Sequence, residues 1–176
     1  MAVGLLLIWG ASVVNASDVD WDVAAGVAVP FTSGYNLGFG GEGTAGFNIA
    51  PSLDLTGSVG FYTFSVTGGT SSASASSSSI EFLAGLKYFL GGSSMPGVKP
   101  YLIGQAGLSD LNTSITVGSI SGSASSIYPE IAGGAGLDFS LGDASKIGII
   151  VQSKVAVVLG NGGSFTYLPV VGGVSF

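Results

Sequence analysis

The sequence predicts an all-β protein, a closed antiparallel up-and-down transmembrane β-barrel of about eight strands, on three observations. First, only 8% of the 176 residues are charged against 47% hydrophobic, and the mean hydropathy is +0.65, whereas soluble domains carry roughly 25% charged residues. Such a chain meets lipid. Second, beyond the N-terminus no run approaches the roughly 18 to 20 uninterrupted apolar residues of a membrane helix. A closed barrel is the other backbone solution in hydrocarbon, because every N–H and C=O must be paired. Third, apolar residues alternate with small or polar ones in short segments separated by Gly, Pro, Asn and Ser clusters, the period of strands with two unlike faces. The 31 glycines suit close strands and turns better than helices.

Met1 to Ala16 is the one continuous apolar block, centred on Leu5, Leu6, Leu7, Ile8 and Trp9 and closed by Val14-Asn15-Ala16. It has the apolar region and small-residue cleavage site of a secretory signal peptide and is too short for an ordinary spanning helix. The basic leading region is missing, so the signal reads as truncated or the chain as a fragment; a first strand is the competing reading. Residues 17–176 are then expected to form a single barrel domain, starting near Ser17. The absence of Cys is compatible with an oxidising compartment.

Eight segments follow. Trp21 to Val29 sets Trp21, Val23, Ala25, Val27 and Val29 on one face. After the turn Pro30 to Asn36, Leu37 to Phe47 aligns Leu37, Phe39, Ala45 and Phe47. Ala50-Pro51-Ser52 turns tightly into Leu53 to Ser65, with Leu53, Leu55, Val59 and Phe61 together. A low-complexity loop is expected from Val66 to Ser79, then Ile80 to Leu90 with Ile80, Phe82, Ala84, Leu86 and Tyr88 aligned. Met95-Pro96-Gly97 turns into Lys99 to Leu108, whose parity is ambiguous because Leu102 and Leu108 oppose Tyr101 and Ile103. A second Ser-rich loop is expected from Ser109 to Ser126. Ile127 to Leu141 sets Ile131, Leu137, Phe139 and Leu141 against Glu130 and Asp138. Ile147 to Val158 aligns Ile147, Ile149, Val151, Val155 and Val157, and Asn161-Gly162-Gly163 supplies the last hairpin turn. Phe165 to Phe176 closes the series, with Leu168, Val170, Val174 and Phe176 on one parity and Tyr167, Pro169, Gly173 and Ser175 on the other.

Charge placement decides which face is inside. A Lys on the lipid side of a barrel at the bilayer midplane costs about 2–4 kcal/mol, so Lys87 and Lys154 are expected inside. They lie on the parity opposite the apolar set, as do Glu42, Asp54, Glu81, Glu130, Asp138 and Gln152. Two interior ion pairs are expected from this placement, Lys154 with Glu130 on segments seven and six, and Lys87 with Asp54 on segments four and three.

The alternating last strand that ends in Phe176 resembles the closing strand of bacterial outer-membrane barrels. Val98-Lys99-Pro100-Tyr101 opening a strand, Gly134-Ala135-Gly136-Leu137-Asp138-Phe139 before a turn and Phe165-Thr166-Tyr167-Leu168-Pro169 entering the last strand extend the likeness in order and at hairpin spacing. The chain resembles the small eight-stranded outer-membrane β-barrel family, of the OmpX and OmpA transmembrane-domain type, porin-like surface proteins. This resemblance implies the outer membrane of a Gram-negative bacterium, periplasmic termini and extracellular Ser-rich loops. It implies outer-membrane lipid as surroundings, and a monomer. It also implies an assembly signal at Phe176, Val174, Val170 and Leu168, read by the barrel-insertion machinery. Two departures stand out: the outer loops are Ser-rich and poor in charge rather than long and varied, which weighs against an adhesin or invasin role, and the absence of Arg excludes an Arg-centred interior network.

Motifs for chemistry are mostly absent. Without His, a triad with an imidazole base is impossible; without His and Cys, conventional zinc, copper and haem sites are excluded. Gly38 to Gly43 matches a dinucleotide fingerprint in letters but lies in an expected strand with no helix after it. Glu42, Glu81 and Glu130 read better as interior residues than as a glycosidase pair, and Asp18, Asp20 and Asp22 as a solvated acidic terminus rather than a divalent-cation site. The net charge of −6 argues against nucleic acid. The sequence thus reads as a non-enzymatic barrel without cofactor, structural or surface-interacting, since eight strands leave an interior just wide enough for side chains; the surface partner is open. The alternatives are a narrow porin-like channel for small solutes or ions, and a soluble lipocalin-like ligand-binding barrel whose apolar parity faces inward.

Overall fold

The computed structural model describes residues 19–66, 73–91, 97–117, 119–142 and 147–176; the expected signal at Met1 to Ala16 lies outside them. Eight strands follow in chain order: β1 (Val19–Pro30), β2 (Gly38–Ala50), β3 (Leu53–Ser65), β4 (Ala73–Phe89), β5 (Val98–Val117), β6 (Ile120–Ser140), β7 (Gly148–Gly160) and β8 (Gly163–Ser175). Each pairs antiparallel with the next, and β8 returns to β1 to close the ring. The seam runs from Pro30↔Tyr167 to Asp22↔Ser175. Reciprocal backbone hydrogen bonds of 2.9 Å between Trp21 and Phe176 carry it to the last residue. Closure leaves the wall of the ring without a free edge.

The two parities separate as charge placement requires. Trp21, Val23, Phe39, Leu55, Phe61, Phe82, Leu86, Leu102, Leu108, Ile131, Val151 and Val155 all lie exposed on the outer wall. The opposite parity is buried inside, and it includes polar residues from Thr44 to Lys154. An inward apolar face, which a soluble ligand-binding barrel requires, is not what these strands form. The ambiguous segment also resolves, with Tyr101 and Ile103 inside and Leu102 and Leu108 outside.

Interior glycines let the wall coil tightly. A Cβ at Gly134 would lie 2.0 Å from the Ser153 carbonyl oxygen of the neighbouring strand, a distance that real Cβ atoms do not reach. At the β2–β3 turn, Ser52 takes a positive φ of 69°, which a short polar residue accepts more easily than a branched one.

The expected Ser-rich loops are corrected where they are described; residues 67–72 of the first lie outside the described residues. Ala73 to Ser79 belongs to β4, while β5 continues to Val117 and β6 begins at Ile120, so most of Ser109 to Ser126 is a hairpin rather than a loop. Polar residues on both faces erase the apolar alternation, but the ladder needs only backbone groups, and Thr113, Ile115, Thr116 and Val117 favour extended geometry. The β6–β7 ladder starts only at Glu130↔Val158. Ile120 to Pro129 is therefore paired on the β5 side alone among the described residues, and a blade of sheet rises above the rest of the ring, opposite the end that holds Val19 and Phe176.

Candidate functional site in the barrel interior

Alternation along β7 points Gln152 and Lys154 inward between Ile150 and Ala156, and both are buried. The Lys154 ammonium donates to Glu42 Oε2 at 2.6 Å and to Gln105 Oε1 at 3.2 Å, and lies 3.9 Å from Glu81 Oε1. Glu42 Oε1 accepts from Gln152 Nε2 at 2.5 Å, and the Tyr62 hydroxyl donates to Glu42 Oε2 at 3.4 Å. Tyr101 donates to Gln152 Oε1 at 2.9 Å, and Gln105 donates to Ser58 at 2.7 Å, which in turn meets Thr44 at 2.8 Å. Side chains from β2, β3, β5 and β7 thus bridge the interior. A buried ion pair persists when further hydrogen bonds satisfy its remaining atoms, as they do around Glu42.

One layer further from the termini, the Tyr167 hydroxyl oxygen lies 2.7 Å from Glu81 Oε2 and 3.1 Å from Glu130 Oε1. Both glutamates are 1% exposed. Ser79 and Ser109 pair beside them at 2.6 Å. Among the described residues Glu81 Oε1 and Glu130 Oε2 have no hydrogen-bond partner. Above this layer the interior becomes aromatic: Phe64 meets Phe165 edge-on with centroids 5.2 Å apart, and Phe165 stacks on Tyr167 at 5.4 Å.

At the end near the termini, Lys87 donates to Asp22 at 2.9 Å and its ammonium sits 4.4 Å from the Tyr101 ring centroid, a favourable cation–π distance. A polar cavity of about 220 Å³ opens here, lined by Asp20, Asp22, Lys87, Lys99 and Asp138 among others. Asp54 accepts from Asn48 at 3.1 Å.

Of the residues expected inside, Glu42, Asp54, Glu81, Lys87, Glu130, Gln152 and Lys154 are buried, and Asp138 is half-buried at the cavity. The two expected ion pairs are not the ones that form. Lys154 stands opposite Gly134 in the register, four residues below Glu130, which is about 13 Å along a strand; it reaches Glu42 instead. Lys87 and Asp54 are direct register partners, yet the long lysine stem carries its ammonium past the short Asp54 to Asp22. In each case the carboxylate is three strands away around the ring. Sequence reasoning also missed the tyrosine donors Tyr62, Tyr101 and Tyr167, although their parity, opposite Phe61, Leu102 and Leu168, was a usable signal. Leu168, Val170, Val174 and Phe176 sit on the outer face of β8 and just beyond it.

No protein-family model matches the sequence, and no curated protein matches it closely enough to count as a relative. Solved structures do match. Neisserial surface protein A superposes with a TM-score of 0.60 at 18% identity, over 89% of this chain and 94% of that one. A major outer membrane protein from Thermus thermophilus gives a TM-score of 0.61 at 15% identity, over 90% and 98%. Ail, the attachment invasion locus protein of Yersinia pestis, gives 0.54 at 15% identity, over 90% and 96%. The fold is therefore that of the small eight-stranded outer-membrane β-barrels.

Proposed function

We propose that this chain is a non-enzymatic, monomeric outer-membrane protein of a Gram-negative bacterium, in which a plugged barrel anchors a surface-interaction blade. The outer apolar wall and the fold shared with Neisserial surface protein A and the attachment invasion locus protein support the membrane setting. The names of those two describe a surface protein and an attachment protein; the blade suits a surface-interaction role, although its Ser-rich, charge-poor composition weighs against an adhesin in particular. In this reading the termini are periplasmic, the blade is extracellular, and Phe176, Val174, Val170 and Leu168 present the terminal strand to the insertion machinery.

One observation carries the reading: the interior is bridged by side chains, while β5 and β6 continue above the ring with a face that no described residue covers. On the side that continues the interior, Ile115, Val117 and Ile120 are exposed, Ile120 to 77%. On the other side, Asn112, Ser114, Thr116, Ser121, Ser123 and Ser125 are polar. The free edge of Ile120 to Tyr128 contains no charged residue and no Pro, the devices that ordinarily keep edges from pairing. A protein partner that adds a strand there and covers the isoleucines fits this chemistry. A channel for small solutes, cation-selective because carboxylates outnumber lysines inside, has the bridged interior against it.

Replacement of residues 112–125 by Asn-Gly shortens the hairpin to a two-residue turn while keeping the register beneath it. Cells carrying this variant should display a folded, heat-modifiable barrel and lose the capture of protein partners seen with cells that display the full protein. Equal capture by both would contradict the proposal. A cysteine at Ser121 should label with an impermeant reagent on intact cells and one at Ser140 should not; the reverse would overturn the orientation.

A further inference from the structure

The Glu81–Tyr167–Glu130 group is unlike the rest of the interior because its hydrogen bonds do not balance if both glutamates are ionised. Tyr167 carries one hydroxyl proton, yet its oxygen lies within hydrogen-bond distance of a carboxyl oxygen from each. An ionised carboxylate accepts only, so one of these two contacts would set an oxygen lone pair against a negative oxygen. Neither of the other two carboxyl oxygens has a hydrogen-bond partner among the described residues, and only Glu81 Oε1 has a cation near it, Lys154 at 3.9 Å. The groups that face the pair cannot supply a full neutralising charge. Lys154 on β7 already donates to Glu42 on β2 and approaches only Glu81. Tyr62 on β3 donates to Glu42, β5 contributes uncharged Gln105 and Ser109, and β1 contributes Ala24 and Ala28. Three carboxylates would face one ammonium.

We propose that the pair is a binding site for one proton, held on Glu130. Glu130 Oε1 then donates to the Tyr167 oxygen, and Tyr167 donates its own proton across the shorter 2.7 Å contact to Glu81 Oε2. Both Tyr167 contacts then hold a hydrogen. Glu81, left as the single charged member, turns Oε1 toward Lys154 at 3.9 Å. Loss of the proton would draw Lys154 between two carboxylates and strain the bridge to Glu42. The proton site is independent of the surface role.

The infrared spectrum of the folded protein in lipid, with its glutamates isotopically labelled, tests the site. A protonated glutamic-acid carbonyl band is expected at neutral pH, lost or shifted in Glu130→Gln. Urea unfolding followed against pH adds a second reading. A folded state that keeps a proton the unfolded chain has released loses stability as pH rises above the ordinary glutamate range, by up to tenfold in the unfolding constant per pH unit for one proton. The wild-type protein should therefore lose stability more steeply than Glu130→Gln until the band disappears, and the two should run parallel beyond that pH. If Glu130→Gln does not fold, the wild-type band and its alkaline disappearance, together with Glu81→Gln, decide the matter. Absence of the band at neutral pH overturns the proposal, as does a band that neither variant alters. A missing band with saturable stabilisation by sodium or potassium chloride at constant ionic strength would instead mean that a metal cation occupies the pair.

Discussion

The two lysines inside the barrel make the same kind of contact in different surroundings. Lys154 sits mid-barrel at 2% exposure, with Glu42 and Gln105 as direct partners. Lys87 bonds Asp22 beside a polar cavity of about 220 Å³ and rests on the Tyr101 ring. In the mid-barrel layer a lost partner leaves a charge shut off from bulk solvent. Near the cavity, water can re-solvate what is left. Both lysines are buried, at 2% and 5% exposure, so access to the polar cavity rather than pairing sets what each bridge contributes.

That comparison orders the expected effects. Lys154→Ala should be the most damaging, costing about 3–5 kcal/mol because Glu42 stays buried without its cation. Glu42→Gln in the same protein should recover part of this loss, and a double-mutant cycle in detergent should give a larger coupling for Lys154 with Glu42 than for Lys154 with Glu130. Gly134→Val, which forces a side chain between β6 and β7 beside Lys154, should cost about 1–3 kcal/mol by overpacking. Lys87→Ala should cost about 1–2 kcal/mol, between the surface and buried cases. Its loss should also shrink as salt rises, where that of Lys154→Ala does not. Ser125→Ala removes an exposed hydrogen bond to Asp110 on the blade and should change stability by less than about 0.5 kcal/mol. Equal losses for the two lysine variants would erase the distinction between the layers.

Much of this was legible in the sequence. Strand parity and the cost of a lysine in lipid together place Glu42, Glu81, Lys87, Glu130 and Lys154 inside, because a one-residue slip would turn every charge outward. Partnership was not legible. Register makes Asp54 the neighbour of Lys87, but side-chain length and a narrow ring select Asp22 across the interior, and sequence spacing holds no record of that distance. The blade was hidden for a different reason: Ser109 to Ser126 lacks the alternation that marks a half-buried strand, since its buried start is polar, with Ser109 fully buried, and from Ile115 on both faces are exposed among the described residues. Tyr167 illustrates a middle case, with its inward parity readable and its position between two glutamates set only by the closed ring.

In the proposed function a plugged interior leaves the work of the protein to the blade outside the barrel. Recording from the purified, unmodified protein in planar bilayers at physiological salt tests this most directly. A plug predicts no steady conductance or only brief, small events, with conductance raised by Lys154→Ala or Glu42→Ala as space opens. Reproducible, cation-selective unitary steps in the unmodified protein would contradict it and make solute passage the leading function.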